Sequence, residues 1–322
     1  MALRTMCLSL TFFALSLFMQ GVWIRWMKGM KIGETIKDYG PAEHKKKKGT
    51  PGMGGIVAFV LAPVVSLAVI FSGAGTRADM IVIWSLPLLA GTVGLADDLL
   101  KSFRKSSEGL RSLQKLFLQI LVCCAWIWIV AGRGIYLLPD FRLPFGIGAP
   151  LLVFFGVGAL NAVNITDGLD GLAGGAVAIS LLSSFAWSGD TEVITSASLG
   201  IALITAFLWH NSNPARVFMG DVGSHFWGGL LISLCVAARS LLFVIPVGFL
   251  FGVELVTSAI QIVSIRGFNR KIFRMSPLHH HFELSGMSEQ QIVARFWIAH
   301  AVGMVAVMAL IEMVRGVGFA NV

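Results

Sequence analysis

Five aspartates in three short segments are the residues best suited to chemistry in this sequence. Asp97 and Asp98 are adjacent, in Gly94-Leu95-Ala96-Asp97-Asp98-Leu99-Leu100-Lys101. Asp167 and Asp170 stand in the segment 161–172, Asn161-Ala162-Val163-Asn164-Ile165-Thr166-Asp167-Gly168-Leu169-Asp170-Gly171-Leu172. Asp221 lies in Phe218-Met219-Gly220-Asp221-Val222-Gly223-Ser224. Their neighbours are mostly small, apolar or amide-bearing. Adjacent acids repel each other, and burial makes both costlier unless a cation compensates. Hard cations take oxygen ligands, so Mg²⁺ is the natural compensator, and carboxylate-held Mg²⁺ normally accompanies a phosphate substrate. Helix capping is the competing role, open for Asp170 and Asp221 above all.

Basic and histidine residues complete the inventory. Lys45 to Lys48 precede Gly49-Thr50-Pro51-Gly52-Met53-Gly54-Gly55, and Lys101 and Lys115 flank a second polar segment. A lysine run beside an apolar stretch also serves membrane topology or anionic lipid. The glycine-rich segment lacks the Gly-Lys-Ser/Thr ending of an ATP-binding loop, which excludes an NTPase reading. Its glycines suit either close approach to an anion or tight helix packing. His279, His280 and His281 are consecutive in Ser276-Pro277-Leu278-His279-His280-His281-Phe282-Glu283. That spacing does not make a helical metal pair, whereas imidazoles can donate hydrogen bonds to phosphate or substrate oxygens. Glu254 sits inside an apolar run, where an ionisable group costs roughly 3 kcal/mol. With Thr257, Ser258 and Gln261 it forms a polar stripe that either glues helices together or lines a groove for a lipid phosphate.

These residues must be held by elements of an unusual composition. The chain has 322 residues, 56% hydrophobic and only 13% charged, against about a quarter charged in soluble domains. Apolar runs of about 20 residues recur, each long enough to cross a bilayer. The expected fold is an all-α integral membrane protein with about ten transmembrane helices. They are expected near 6–26, 53–73, 80–96, 116–132, 148–163, 172–188, 193–210, 224–238, 241–265 and 296–315. The first lacks a small-residue cleavage site and more spans follow it, so it reads as a membrane helix rather than a leader.

Charge sets the orientation. The connections 27–52, 97–115, 164–171, 211–223 and 266–295, with Arg25 and Arg295 at their borders, hold 19 of the 25 Lys and Arg residues. The remaining six are Arg4, Arg77, Arg133, Arg142, Arg239 and Arg315. The first set is therefore expected in the cytoplasm, with both termini extracytoplasmic. All five aspartates then face the cytoplasm. The net charge of +8 is read as this asymmetry and not as a nucleic-acid surface. Near 135–146 a small proline-limited outer hairpin is expected. The four cysteines lie in apolar runs without metal-ligand spacing and are assigned to packing. Residues 1–322 read as one membrane domain whose five cytoplasmic loops form the site.

Four segments, taken in order, carry a resemblance. Asp97-Asp98-Leu99-Leu100-Lys101, Asn161 to Leu172, Phe218 to Ser224 and Pro277 to Glu283 resemble the motifs of the polyprenyl-phosphate N-acetylhexosamine-1-phosphate transferase superfamily. The likeness runs from Gly40-Pro41 to Glu283. Lys101 and the His triplet favour its phospho-N-acetylmuramoyl-pentapeptide transferase family. That resemblance implies a bacterial cytoplasmic-membrane enzyme, a homodimer, using Mg²⁺, UDP-N-acetylmuramoyl-pentapeptide and undecaprenyl phosphate to give a lipid-linked peptidoglycan precursor and UMP. It implies that Asp221 binds Mg²⁺ at the diphosphate, while Asp97 and Asp98 act on the lipid phosphate or help hold the metal. Lys47, Lys101 and Lys115 would compensate phosphate charge. Asn164, Asp167, Asn211, Phe218 and Gly220 would line the nucleoside side, and His279, His280 and His281 would contact substrate. Where the family usually has threonine this chain has Gly52, which is given no role.

The chemistry agrees with the inventory. Two phosphorylated substrates repel, so neutralisation and alignment contribute most of the catalysis. A sister enzyme using UDP-N-acetylglucosamine would lack the His-triplet arrangement. A transporter would string ionisable residues across the bilayer, whereas here they gather at one face and Glu254 stands nearly alone.

Overall fold

The computed structural model describes residues 2–30, 47, 49–104, 106 and 108–319. Lys45, Lys46 and Lys48 lie outside the described residues. The described chain is mostly helical: α1 (Ala2–Gly29), α2 (Ile56–Phe71), α3 (Arg77–Arg104), α4 (Ser112–Val130), α5 (Phe145–Thr166), α6 (Leu172–Trp187), α7 (Thr191–Asn211), α8 (Gly220–Ala237), α9 (Val244–Val247), α10 (Phe249–Phe268), α11 (Leu278–Glu283) and α12 (Glu289–Phe319). Between α4 and α5 an antiparallel hairpin, β1 (Ile135–Leu138) and β2 (Phe141–Leu143), stands where the proline-limited turn was expected.

Among the described residues, seven helices (α1, α3, α4, α5, α7, α10 and α12) are long and apolar enough to cross a membrane. The apolar helices α2 and α6 have 16 residues each. Large apolar side chains such as Phe18, Phe117, Trp128, Phe154, Val302 and Val305 are exposed on the outside of the bundle, as suits contact with lipid. The protein is a multi-pass membrane protein.

Three elements depart from the expected boundaries. α3 continues through Leu99-Leu100-Lys101 to Arg104, because good helix formers follow the aspartates and no breaker interrupts them. Asp97 and Asp98 therefore lie within a helix rather than at its end. Lys115 belongs to α4, not to a loop. The stretch 241–265 is broken at Gly248, between α9 and α10. Pro246 has no N–H to continue a helix from upstream. The break is stitched from the side: Ser180 donates to the Val247 carbonyl (2.6 Å), and the Leu250 N–H donates to His300 Nδ1 (3.2 Å).

α8 is the centre of the bundle. Every residue from Asp221 to Cys235 is buried, so this helix faces protein on all sides and its sequence carries Gly, Ser and His instead of an apolar run. Close packing rather than a hydrophobic driving force holds such helices together. Gly94 illustrates it: a Cβ there would lie 2.1 Å from the Asp221 carbonyl oxygen. α3 can approach α8 this closely only because that Cβ is missing, and Asp97 and Asp98, on the next turn of α3, are thereby brought to the first turn of α8.

Candidate active site

One carboxylate oxygen from each of Asp97, Asp98 and Asp221 falls within 4.8 Å of the others, and all three residues are buried. Asp98 spends both oxygens on the start of α8, accepting the N–H groups of Asp221 (3.1 Å) and Val222 (2.9 Å). It thus satisfies two of the amides that a helix start leaves unpaired. The capping role open to Asp221 in the sequence belongs to Asp98, supplied from another helix. Gly220 makes this possible, with φ +75° and a position where a Cβ would stand 2.8 Å from Asp98 Oδ2.

Two ammonium groups lie among the carboxylates. Lys101 reaches Asp97 Oδ2 (2.7 Å), one turn away on α3, and Asp221 Oδ2 (2.9 Å). Lys115 donates to the same Asp221 oxygen at 2.7 Å. Asp221 Oδ1 accepts from Asn164 Nδ2 (2.6 Å), at the end of α5, and Asp97 Oδ1 from the Leu110 N–H (2.8 Å). Three carboxylates against two ammoniums leave one negative charge in surplus. A buried, oxygen-only donor set with surplus negative charge fits a hard divalent cation. Asp98 gives both oxygens to backbone amides of the helix start, whereas Asp221 and Asp97 each turn one oxygen to a lysine ammonium that a cation can replace.

The glycine-rich segment packs directly against this cluster. Gly54 and Gly55 donate their N–H groups to the carbonyls of Phe218 (2.8 Å) and Met219 (2.9 Å), and Phe218 donates back to Pro51 (2.8 Å). A Cβ on Gly55 would stand 2.1 Å from Gly223 Cα. These two amides are spent on backbone partners, so of the two readings of this segment tight packing is the one found. Phe218 itself is half-buried at this junction.

The histidine loop arrives from the other side. Glu254, fully buried in α10, accepts the N–H groups of Leu278 (2.6 Å) and His279 (3.1 Å) and lies 3.3 Å from His279 Nδ1. It anchors the first turn of α11. Of the two roles open to Glu254, this contact is the interhelical hydrogen bonding, made to the short helix α11. The His279 ring is buried against Gly168, where a Cβ would meet Nε2 at 2.4 Å. His280 pairs with Glu283 (2.5 Å), and His281 Nδ1 accepts from the Arg274 N–H (3.1 Å) between the rings of Phe273 and Phe282.

A family model described as glycosyl transferase family 4 matches residues 80–239, from α3 into the turn after α8. Curated phospho-N-acetylmuramoyl-pentapeptide-transferases align over nearly the whole chain. That of Shouchella clausii is 38% identical over 304 residues, covering 91% of this chain and 92% of its own. That of Desulfitobacterium hafniense is 39% identical over 310 residues, covering 88% and 91%. This chain belongs to the phospho-N-acetylmuramoyl-pentapeptide-transferase family.

Membership identifies a glycosyl-phosphate transferase, and the expected site residues of this family member fall into three groups. Asp97, Asp98, Asp221, Lys101, Lys115 and Asn164 converge, with Gly220 and Phe218 at their edge. Asp167 and the His279–His281 helix meet at the Gly168 turn. Lys47 and Asn211 are engaged elsewhere. Lys47 bridges Asp170 (2.7 Å) and Glu289 (2.6 Å); Asn213 donates to both carboxylates and the Ala215 N–H to Asp170. Burial opposes the Lys47 charge, but the hydrogen bonds to both carboxylates outweigh it and raise its pKa. Asn211 donates to the Val217 carbonyl (2.9 Å) and accepts from the Gly171 N–H (3.0 Å), tying two loops together. Asp170 is accordingly part of a clasp among loops. Glu289, Asn213 and Ser224 were not singled out in the sequence. Only Ser224 carried a signal, three residues from Asp221 and so on its helical face.

Proposed function

We propose that this protein transfers phospho-N-acetylmuramoyl-pentapeptide from UDP to undecaprenyl phosphate in a Mg²⁺-dependent reaction, releasing UMP and the first lipid-linked peptidoglycan precursor. The observation that carries the reading is the set of three buried carboxylates and two half-buried lysines on α3, α4 and α8, in a chain of this family. The names of the relatives supply the donor.

The reaction joins an oxygen of the lipid phosphate to the sugar-bearing phosphorus and breaks that phosphorus's bond to the oxygen retained by UMP. Asp221 and Asp97 would hold Mg²⁺, which when bound neutralises the donor diphosphate and the departing UMP. Lys101 and Lys115 supply fixed positive charge to the phosphates, so the two anionic substrates can approach. An aspartate of this cluster would accept a proton remaining on the lipid phosphate. Asn164 orients Asp221, and Asp98 fixes the helix start from which Asp221 projects. Asp167, Phe218 and the His279–His281 helix form the walls for the nucleoside and sugar. In this reading the seven long apolar helices, α2, α6 and the buried α8 make ten spans of the bacterial cytoplasmic membrane, both termini are extracytoplasmic, the five basic connections build the site on the cytoplasmic face of one domain, and the protein works as a homodimer.

The test is UMP release by purified protein in detergent with undecaprenyl phosphate and each UDP-sugar. Mg²⁺-dependent UMP with the muramoyl-pentapeptide donor is the expected result. Turnover only with UDP-N-acetylglucosamine would assign the sister reaction, and none with either donor would sink the proposal. Asp221→Asn is expected to lower turnover by at least about a hundredfold while the protein still folds.

A further inference from the structure

One helical turn beneath Asp221, the structure holds a second polar layer that the reaction does not use. His225 follows Asp221 by four residues on α8 and is fully buried, as is Gln119, four residues after Lys115 on α4. His225 Nδ1 lies 2.8 Å from the Asp221 carbonyl oxygen, and Nε2 lies 2.9 Å from Gln119 Nε2. A carbonyl can only accept, so Nδ1 carries the ring hydrogen and Nε2 accepts from the Gln119 amide. Gln119 and Asn161 then face each other as a reciprocal pair, Asn161 donating to Gln119 Oε1 (2.8 Å) and Gln119 to Asn161 Oδ1 (3.3 Å).

The two layers repeat each other on the same three helices. Residues three and four apart share a helix face. In the upper layer Lys115 of α4 and Asn164 of α5 both bind Asp221 of α8. In the lower layer Gln119 of α4 binds both His225 of α8 and Asn161 of α5. The lower layer thus fixes the rotation and register at which α4, α5 and α8 meet, and so fixes where Lys115, Asn164 and Asp221 converge. Ser224 connects the layers: it accepts from Asn164 Nδ2 at 2.9 Å and donates to the Asp221 carbonyl (3.3 Å) that the His225 ring also binds.

We propose that His225, held by Gln119, is a positioning residue for Asp221: it sets the carboxylate's geometry for a divalent cation without touching substrate. This rests on the reading of Asp221 as the metal-holding residue. Outer partners of metal ligands typically contribute about ten- to a hundredfold in affinity.

The experiment is Mn²⁺ binding to the full-length protein in detergent, without substrates, followed by electron paramagnetic resonance, with thermal unfolding recorded on the same samples. His225→Leu is expected to weaken binding about tenfold. His225→Gln, whose amide can both donate to the Asp221 carbonyl and accept from Gln119, is expected to restore it to within about threefold. Gln119→Met should match His225→Leu, and serves in its place if that variant does not fold. Binding by folded His225→Leu or Gln119→Met within twofold of wild type, alongside its loss in Asp221→Asn, overturns the proposal. So does weakening that follows the melting temperature down and is not repaired by His225→Gln, which would mark a general loosening of the bundle. Undiminished binding in Asp221→Asn would instead overturn the metal reading itself.

Discussion

Glu254 holds His279 by the backbone: its carboxylate accepts the His279 N–H at 3.1 Å and the preceding Leu278 N–H at 2.6 Å. An acid in the first third of α10 therefore acts as the fixed point of the loop that carries the histidines. Hydrogen bonds to a charged acceptor contribute about 1.5–3 kcal/mol each. Glu254→Ala is expected to release α11, cutting UMP formation by at least about tenfold and speeding proteolysis within residues 266–295. Wild-type turnover together with unchanged proteolysis would show that α11 is held by other contacts.

The same histidine predicts the effect of one methyl group. A Cβ at Gly168 would overlap the His279 ring, at 2.4 Å from Nε2. Gly168→Ala should displace either the ring or the Asp167 turn, at a cost of about 1–3 kcal/mol. The expected readout is a raised KM for the nucleotide donor with little change in the KM for the lipid. Equal effects on both substrates would place the disturbance elsewhere.

Lys47 gives a prediction about pH. Its folded pKa is raised above the ordinary 10.5 by hydrogen bonds to Asp170 and Glu289 that outweigh its burial. A group raised in this way contributes stability that is fully present below its unfolded value and is lost only as pH climbs through the folded one. Lys47→Met leaves two carboxylates facing each other, and should destabilise by about 2 kcal/mol, less than a fully buried pair would. The deficit in melting temperature should be equal at about pH 6 and about pH 9. A deficit that shrinks towards the higher pH would contradict a raised pKa.

Orientation is tested by labelling. In a background with the exposed Cys7 and Cys124 replaced by serine, Asp140→Cys should react with an impermeant maleimide on intact cells and Ser106→Cys only after lysis. The opposite pattern would invert the proposed topology.

The carboxylates were legible in the sequence because each stood near the end of an apolar run, a local feature. Their assignments were less so. Asp98 caps a helix that begins more than a hundred residues later in the chain, and Glu254 caps α11 across a turn that periodicity cannot anticipate. The Gly-rich segment 49–55 admitted two readings until its amides were seen to bond the 218–219 backbone. The seven long apolar helices followed from hydropathy, yet the break at Gly248 came from one proline and a histidine on α12. Gln119 and His225 are polar residues within apolar runs and were not singled out in the sequence. Their spacing from Lys115 and Asp221 was the available signal, and it gained meaning only once α4 and α8 were side by side.

The burial of α8 on every side has a consequence for how the protein is made. A segment bearing Asp221, Ser224 and His225 partitions poorly into lipid alone. The neighbours that surround it, α3 and α5, precede it in the chain. In the ten-span arrangement, α8 leaves the translocon into a waiting cleft between helices already inserted, so synthesis from the N-terminus supplies the order of assembly that its own sequence lacks.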